Sequence, residues 1–219
     1  YTVMKTRTII KICGMKNKKD ILHANTLDID YVGMIFSPNS PRHINVNSAV
    51  ELSGLKLDKK IVGVFMDQTQ EYITEIINSI NLDLLQFHGS EDYEFCKSFN
   101  LPYIKTIHIK DSSLNYEQIV IENASHVLFD NQEKEVRGGT GKSFDWSILN
   151  SDHKIKDIIS SKSCLIAGGL SLENIDDLLL TYNPYGLDVS SGLECSIGNK
   201  DHNLMTQFVQ RVREYDKEI

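Results

Sequence analysis

Cys13 and Asp130 are the side chains whose settings most suggest chemistry. Cys13 ends the apolar run Thr8-Ile9-Ile10-Lys11-Ile12-Cys13 and is followed at once by Gly14, and Asp130 ends Val127-Leu128-Phe129-Asp130. A thiol and a carboxylic acid at the ends of two short strands can act as base and acid on opposite sides of one substrate. Taken singly, each has an ordinary reading as well. A free cysteine is commonly a small buried hydrophobe, and an aspartate at a strand end commonly caps or anchors a loop. Lys11 precedes Cys13 by two residues, so strand alternation puts both on one face. A cation beneath a thiol favours the thiolate. Asp188, near another strand end, is the candidate partner of Lys11, and a purely structural ion pair is the equal alternative.

The elements that must position these groups follow from the pattern of the chain. Short β-branched runs at 8–13, 31–36, 60–65, 82–87, 103–107, 126–130, 164–167 and 186–189 read as strands. Helical segments follow them near 18–25, 47–55, 70–79, 91–98, 114–122, 147–161, 172–181 and 201–215. Tyr72, Ile73, Ile76, Ile77 and Ile80 form an apolar stripe at helical spacing, with Thr69 as cap, and Ser171 caps the segment from Leu172 in the same way. Eight strand-then-helix units point to an α/β chain folded as a (β/α)8 TIM barrel. An open doubly wound sheet usually carries a Gly-rich turn after its first strand, whereas Gly14 here stands alone. No linker or charge block divides residues 7–219, which read as one domain, and residues 1–6 read as an N-terminal extension.

A net charge of −7 argues against nucleic acid or an anionic membrane as a partner. No apolar stretch has the length of a membrane span. Cys13, Cys96, Cys164 and Cys195 are widely spaced, as reduced thiols of a cytoplasmic protein would be, and the histidines show no metal-ligand spacing. No metal site is expected. Cys96 and Cys164 read as core and Cys195 as incidental.

The late glycines suggest an anion site. Ala167-Gly168-Gly169-Leu170 follows the seventh strand, and Val189-Ser190-Ser191-Gly192-Leu193-Glu194 follows the eighth. In such barrels these two loops often bind phosphate through backbone N–H groups, and glycine lets backbone approach an anion closely. Gly168, Gly169, Ser190, Ser191 and Gly192 are therefore the candidate phosphate contacts. The loop after Asp130 holds Arg137-Gly138-Gly139-Thr140-Gly141-Lys142 and reads as a lid hinged on Gly138, Gly139 and Gly141.

Lys11-Ile12-Cys13-Gly14, Gln86-Phe87-His88-Gly89, Gly138-Gly139-Thr140-Gly141-Lys142-Ser143-Phe144-Asp145-Trp146, Ala167-Gly168-Gly169-Leu170 and Leu187-Asp188-Val189-Ser190-Ser191-Gly192-Leu193-Glu194 occur in that order. Together they closely resemble phosphoribosylanthranilate isomerase, a family of tryptophan biosynthesis, from about Ile9 to Arg213. Departures are mild: Phe87 and Phe129 stand where the family often has Leu, and Ala167 where Ser is common.

The resemblance implies a cofactor-independent barrel isomerase that carries out an Amadori rearrangement of a phosphosugar substrate, as a monomer or homodimer. It implies Cys13 as general base, Asp130 as general acid and Arg42 of Ser40-Pro41-Arg42 as the contact to the anthranilate carboxylate. A planar guanidinium suits that group by offering two parallel hydrogen bonds. His88 and Asp188, near strand ends at the mouth, are candidate substrate contacts. Asp145 reads as a helix cap and Trp146 as packing. The related barrel isomerase of histidine synthesis uses carboxylates at the ends of strands one and five, where this chain has Cys13 and Ile107-His108. A non-catalytic phosphate- or flavin-binding barrel would account for the glycine loops but not for Cys13 with Asp130.

Overall fold

The computed structural model describes residues 7–109, 116–130 and 146–218. The N-terminal extension, the lid glycines Gly138, Gly139 and Gly141, and Asp145 lie outside the described residues. The eight strands are β1 (Ile9–Cys13), β2 (Tyr31–Ile35), β3 (Lys60–Phe65), β4 (Leu84–Phe87), β5 (Tyr103–His108), β6 (His126–Asp130), β7 (Cys164–Ala167) and β8 (Gly186–Val189). They close in chain order, every neighbouring pair parallel, with β1 sealing against β8 at Lys11↔Asp188. This is the (β/α)8 barrel the alternation predicts. The helices are α1 (Lys18–Thr26), α2 (Val46–Ser53), α3 (Gln70–Ser79), α4 (Tyr93–Lys97), α5 (Gln118–Asn123), α6 (Ile148–Ser151), α7 (His153–Ser161), α8 (Ile175–Tyr182) and α9 (His202–Glu218). None of them is long and apolar enough to cross a membrane.

Strand alternation divides the core in two. Tyr31, Val62, Val64, Leu84, Ile104, Leu128 and Leu165 fill the barrel together with Cys13, while the opposite faces of the strands pack on the helices. α3 shows why the sequence folds this way. Ile73 and Ile76 are buried on its inner face, and Thr69 accepts from the Tyr72 N–H at 3.3 Å to cap it.

Local chemistry moves several predicted boundaries. The segment 147–161 is two helices, because Asp152 takes the N–H groups of Lys154 and Ile155 and starts α7 afresh. Leu172 lies in a turn, not a helix. Ser171 Oγ accepts from Glu173 N, Asn174 Oδ1 accepts from Ser171 N, and α8 begins only at Ile175. A two-stranded antiparallel ribbon, β9 (Glu194–Ser196) and β10 (Asn199–Lys200), follows a 3-10 turn over Ser191–Leu193 and was not expected from the sequence.

The far end of the barrel is sealed by α9. Asp216 accepts from the Thr8 N–H at 3.0 Å and the Thr8 hydroxyl at 2.5 Å, and pairs with Arg213 at 2.6 Å. Thr8 is buried, so losing that carboxylate leaves its donors without partners. Asp216→Ala is expected to destabilise the fold by about 2 kcal/mol in urea unfolding while leaving the properties of the mouth intact.

Candidate active site

Cys13 and Asp130 end β1 and β6 at the same mouth of the barrel, and both are buried, at 5% and 7% exposure. The thiol lies against β2. Its register partner is Gly33, and a Cβ on Gly33 would stand 2.7 Å from the Cys13 sulfur and 3.2 Å from Lys11 Nζ. Only a residue without a side chain leaves room there for both groups.

Lys11 is fully buried in the barrel, and its ammonium donates to Asp188 Oδ1 at 2.8 Å. The expected Lys11–Asp188 pair is therefore present. Lys11 favours the thiolate as expected, but it is not the largest influence on the thiol. Burial pushes the Cys13 thiol up, and this outweighs Lys11, whose charge and hydrogen bond pull it down. Asp188 adds to the upward push, and Lys200 is a further cation pulling down. Cys13 is held as the thiol, so Lys11 lessens a penalty and does not produce a ready thiolate. The ammonium of Lys11 keeps its proton firmly: burial works against the charge, and the Asp188 carboxylate, foremost among its partners, holds it.

Asp130 meets His88. Their Oδ2 and Nε2 atoms are 3.2 Å apart, and His88 Nδ1 is 3.1 Å from the Thr106 hydroxyl of β5. Gln86, buried on β4, completes the cluster with its amide nitrogen 3.3 Å from His88 Nδ1. His108 at the end of β5 binds the His88 carbonyl through Nε2 at 2.7 Å. Asp130, His88 and His108 thus offer ligand atoms within 4.8 Å of one another, a trio from three strand ends with no signature in sequence spacing. Thr106 was not picked out from the sequence, and His108 was noted only as the residue at the end of strand five where the histidine-synthesis isomerase has a carboxylate.

Backbone shapes the anion loops. Gly168 and Gly169 take φ of +88° and +68°, and Asn174 Nδ2 holds the Gly169 carbonyl at 2.8 Å. A Cβ on Gly192 would fall 1.9 Å from the Leu170 carbonyl oxygen, so glycine alone allows the loops after β7 and β8 to touch. Ser190 sits at the β8 end with its hydroxyl bonded to the Cys13 carbonyl at 3.1 Å, and Ser191 opens the 3-10 turn. The predicted phosphate residues therefore adjoin one another and the thiol's own backbone.

Arg42 lies beside Gly14 at this mouth, where its guanidinium grips Glu194 through Nε and Nη2, both at 2.8 Å. Glu194 in turn meets Lys200 at 3.1 Å. Neither of these two partners was singled out from the sequence. Lys200 lies beyond the motif and Glu194 reads there as its closing residue. Trp146 is buried in the core and Cys195 is exposed on β9.

Comparison with known proteins agrees with this geometry. The family model for N-(5'-phosphoribosyl)anthranilate (PRA) isomerase matches residues 10–211. The N-(5'-phosphoribosyl)anthranilate isomerase of Legionella pneumophila (strain Paris) is 39% identical over 210 residues, spanning 94% of this chain and 98% of its own. The crystal structure of phosphoribosyl anthranilate isomerase from Thermotoga maritima superposes with a TM-score of 0.78 at 30% identity, covering 94% of this chain and 99% of that one. A phosphoribosyl anthranilate isomerase in complex with reduced 1-(o-carboxyphenylamino)-1-deoxyribulose 5-phosphate matches with a TM-score of 0.75 at 27% identity, over 94% of this chain and 99% of that one. With the family model covering nearly the whole barrel and a relative so similar over its full length, the chain belongs to the N-(5'-phosphoribosyl)anthranilate isomerase family.

Proposed function

We propose that Cys13 is the base and Asp130 the acid of the family's reaction, the Amadori isomerisation of N-(5-phospho-β-D-ribosyl)anthranilate in tryptophan biosynthesis. The observation that carries this reading is the shared mouth: a thiol and a carboxyl at the ends of β1 and β6 open beside the touching loops that follow β7 and β8. A phosphate held over Gly168, Gly169, Ser190, Ser191 and Gly192 sets the sugar between the two groups. The compound bound to the solved relative carries a phosphate at one end and a carboxyphenyl group at the other, which supports two separate anion contacts.

The chemistry proceeds in two proton transfers. Asp130 gives its proton to the furanose ring oxygen, the C1–O bond breaks, and the nitrogen lone pair forms an iminium ion. Cys13 then removes the proton from C2, giving an enolamine that tautomerises to the ketone. Protons taken and given balance, so neither cofactor nor redox partner is required. His88 holds the Asp130 carboxyl through Nε2, and Thr106 and Gln86 fix the imidazole from its Nδ1 side. The thiol's raised pKa suits a base called upon only after ring opening, because the new iminium charge lies next to it and favours the thiolate. Arg42 is the contact to the substrate carboxylate, and the Lys11–Asp188 pair fixes the floor beneath C2. The four free thiols support a cytoplasmic setting.

Two measurements test these roles. Cys13→Ser and Asp130→Asn should each lower kcat by roughly 10²- to 10⁴-fold or more, followed as loss of substrate fluorescence, with the fold intact by circular dichroism. Activity retained in either variant removes that residue from the mechanism, and a folded parent that binds substrate without turnover favours a binding barrel. Separately, the rate of Cys13 alkylation should rise with pH through a midpoint above that of an ordinary thiol, because burial holds the proton on. Lys11→Met should move that midpoint higher still. An unchanged midpoint would mean that Lys11 is a structural partner of Asp188 and nothing more.

A further inference from the structure

We infer that Glu194 and Lys200 are positioning residues that join the two anion-binding elements of the site, Arg42 and the Ser190 loop, into one rigid unit. The inference rests on the reading of Arg42 as the carboxylate contact and Ser190 as part of the phosphate cradle.

The ribbon formed by β9 and β10 pairs Lys200 with Glu194 across its two strands. Both side chains are shut from solvent, at 0% and 5% exposure. Glu194 Oε1 receives Arg42 Nε at 2.8 Å and Lys200 Nζ at 3.1 Å, and its Oε2 receives Arg42 Nη2 at 2.8 Å. An ammonium has three protons to give. Those of Lys200 are directed at Glu194, at the Ser190 carbonyl at 3.0 Å and at the Ser190 hydroxyl at 3.4 Å. That hydroxyl bonds the Cys13 carbonyl at 3.1 Å. Gly14 completes the contact, since a Cβ there would stand 3.0 Å from Arg42 Cδ and 3.1 Å from the Ser190 hydroxyl oxygen. An unbroken chain of polar contacts therefore runs from the guanidinium through one carboxylate and one ammonium to the phosphate loop and the catalytic strand.

One carboxylate holds both cations at once, so a change at Glu194 is felt at Arg42 and at the Ser190 loop together. Lys200 also relies on Glu194 for its own charge: burial lowers its pKa, and the carboxylate opposes that fall. The ribbon itself is anchored by Asp20 accepting from the Lys200 N–H at 2.9 Å and by Asp201 N bonding the Leu193 carbonyl at 2.8 Å.

The test combines steady-state kinetics with calorimetric binding of inorganic phosphate and of anthranilate, each alone, to the parent, Glu194→Gln, Lys200→Met and Arg42→Met. In Glu194→Gln, both affinities should fall by about tenfold and KM should rise at least as much, with kcat changed less, since each charged hydrogen bond lost is worth that order. Lys200→Met should weaken both anions in the same way. Affinities within about twofold of the parent for either anion in a folded Glu194→Gln protein overturn the inference, because a purely structural or single-site role predicts that result. Should Glu194→Gln not fold, Lys200→Met is judged by the same criterion. Arg42→Met separates the two levels. If it leaves anthranilate binding and KM unchanged, the carboxylate reading of Arg42 itself fails. If it weakens them while Glu194→Gln and Lys200→Met do not, only the coupling fails.

Discussion

A lysine ammonium enclosed in a barrel needs a carboxylate beside it, and much of this molecule follows from that requirement. Lys11 is fully buried, and Asp188 is its register partner across the seam where the first strand meets the last. Parting them would leave a charge uncompensated in a medium that solvates it poorly, a penalty of several kcal/mol. The pair therefore ties barrel closure to one register. A slip by one residue would turn Lys11 toward the helices and bring Cys13 out of the mouth with it. The proposed base and the fold's seam are thus set by one contact.

The same constraint shapes the electrostatics around the thiol. Enclosure that keeps Lys11 paired also desolvates Cys13, and the net result favours the protonated sulfur. The environment keeps the thiol proposed as base neutral, beside cations that favour its thiolate. On the opposite wall Asp130 is held by His88, which is held by Thr106. Both candidate groups stand at strand ends with partners that also stand on or next to strands, so their placement follows the sheet.

The proposed anion contacts lie at the seam side of the mouth. Gly192 lets the loops after β7 and β8 meet, while Arg42, Glu194 and Lys200 bring charge to the rim. Groups proposed to bind an anionic substrate are thus already in place, which avoids the entropic cost of ordering them on binding.

Much of this was legible along the chain. The alternation of β-branched runs with helical stripes dictated the barrel, because burial on both faces of a parallel strand and on one face of a helix leaves distinct local periods. Cys13, Asp130, Arg42 and the glycine loops could be picked out as candidates from position, chemistry and a family resemblance, and Asp188 as a candidate partner of Lys11 because a buried lysine needs one and Asp188 lies near a strand end. What the chain could not display were contacts between residues with no local mark and large separation. Thr106 and His108 matter only because β5 lies beside β4, and Glu194 and Lys200 only because an unforeseen ribbon folds back on the phosphate loop. The direction of the thiol's pKa was also hidden, since it depends on whether desolvation or Lys11 prevails. Periodicity and residue type are properties of the sequence; burial and the sum of charges at a point exist only after distant segments have packed together.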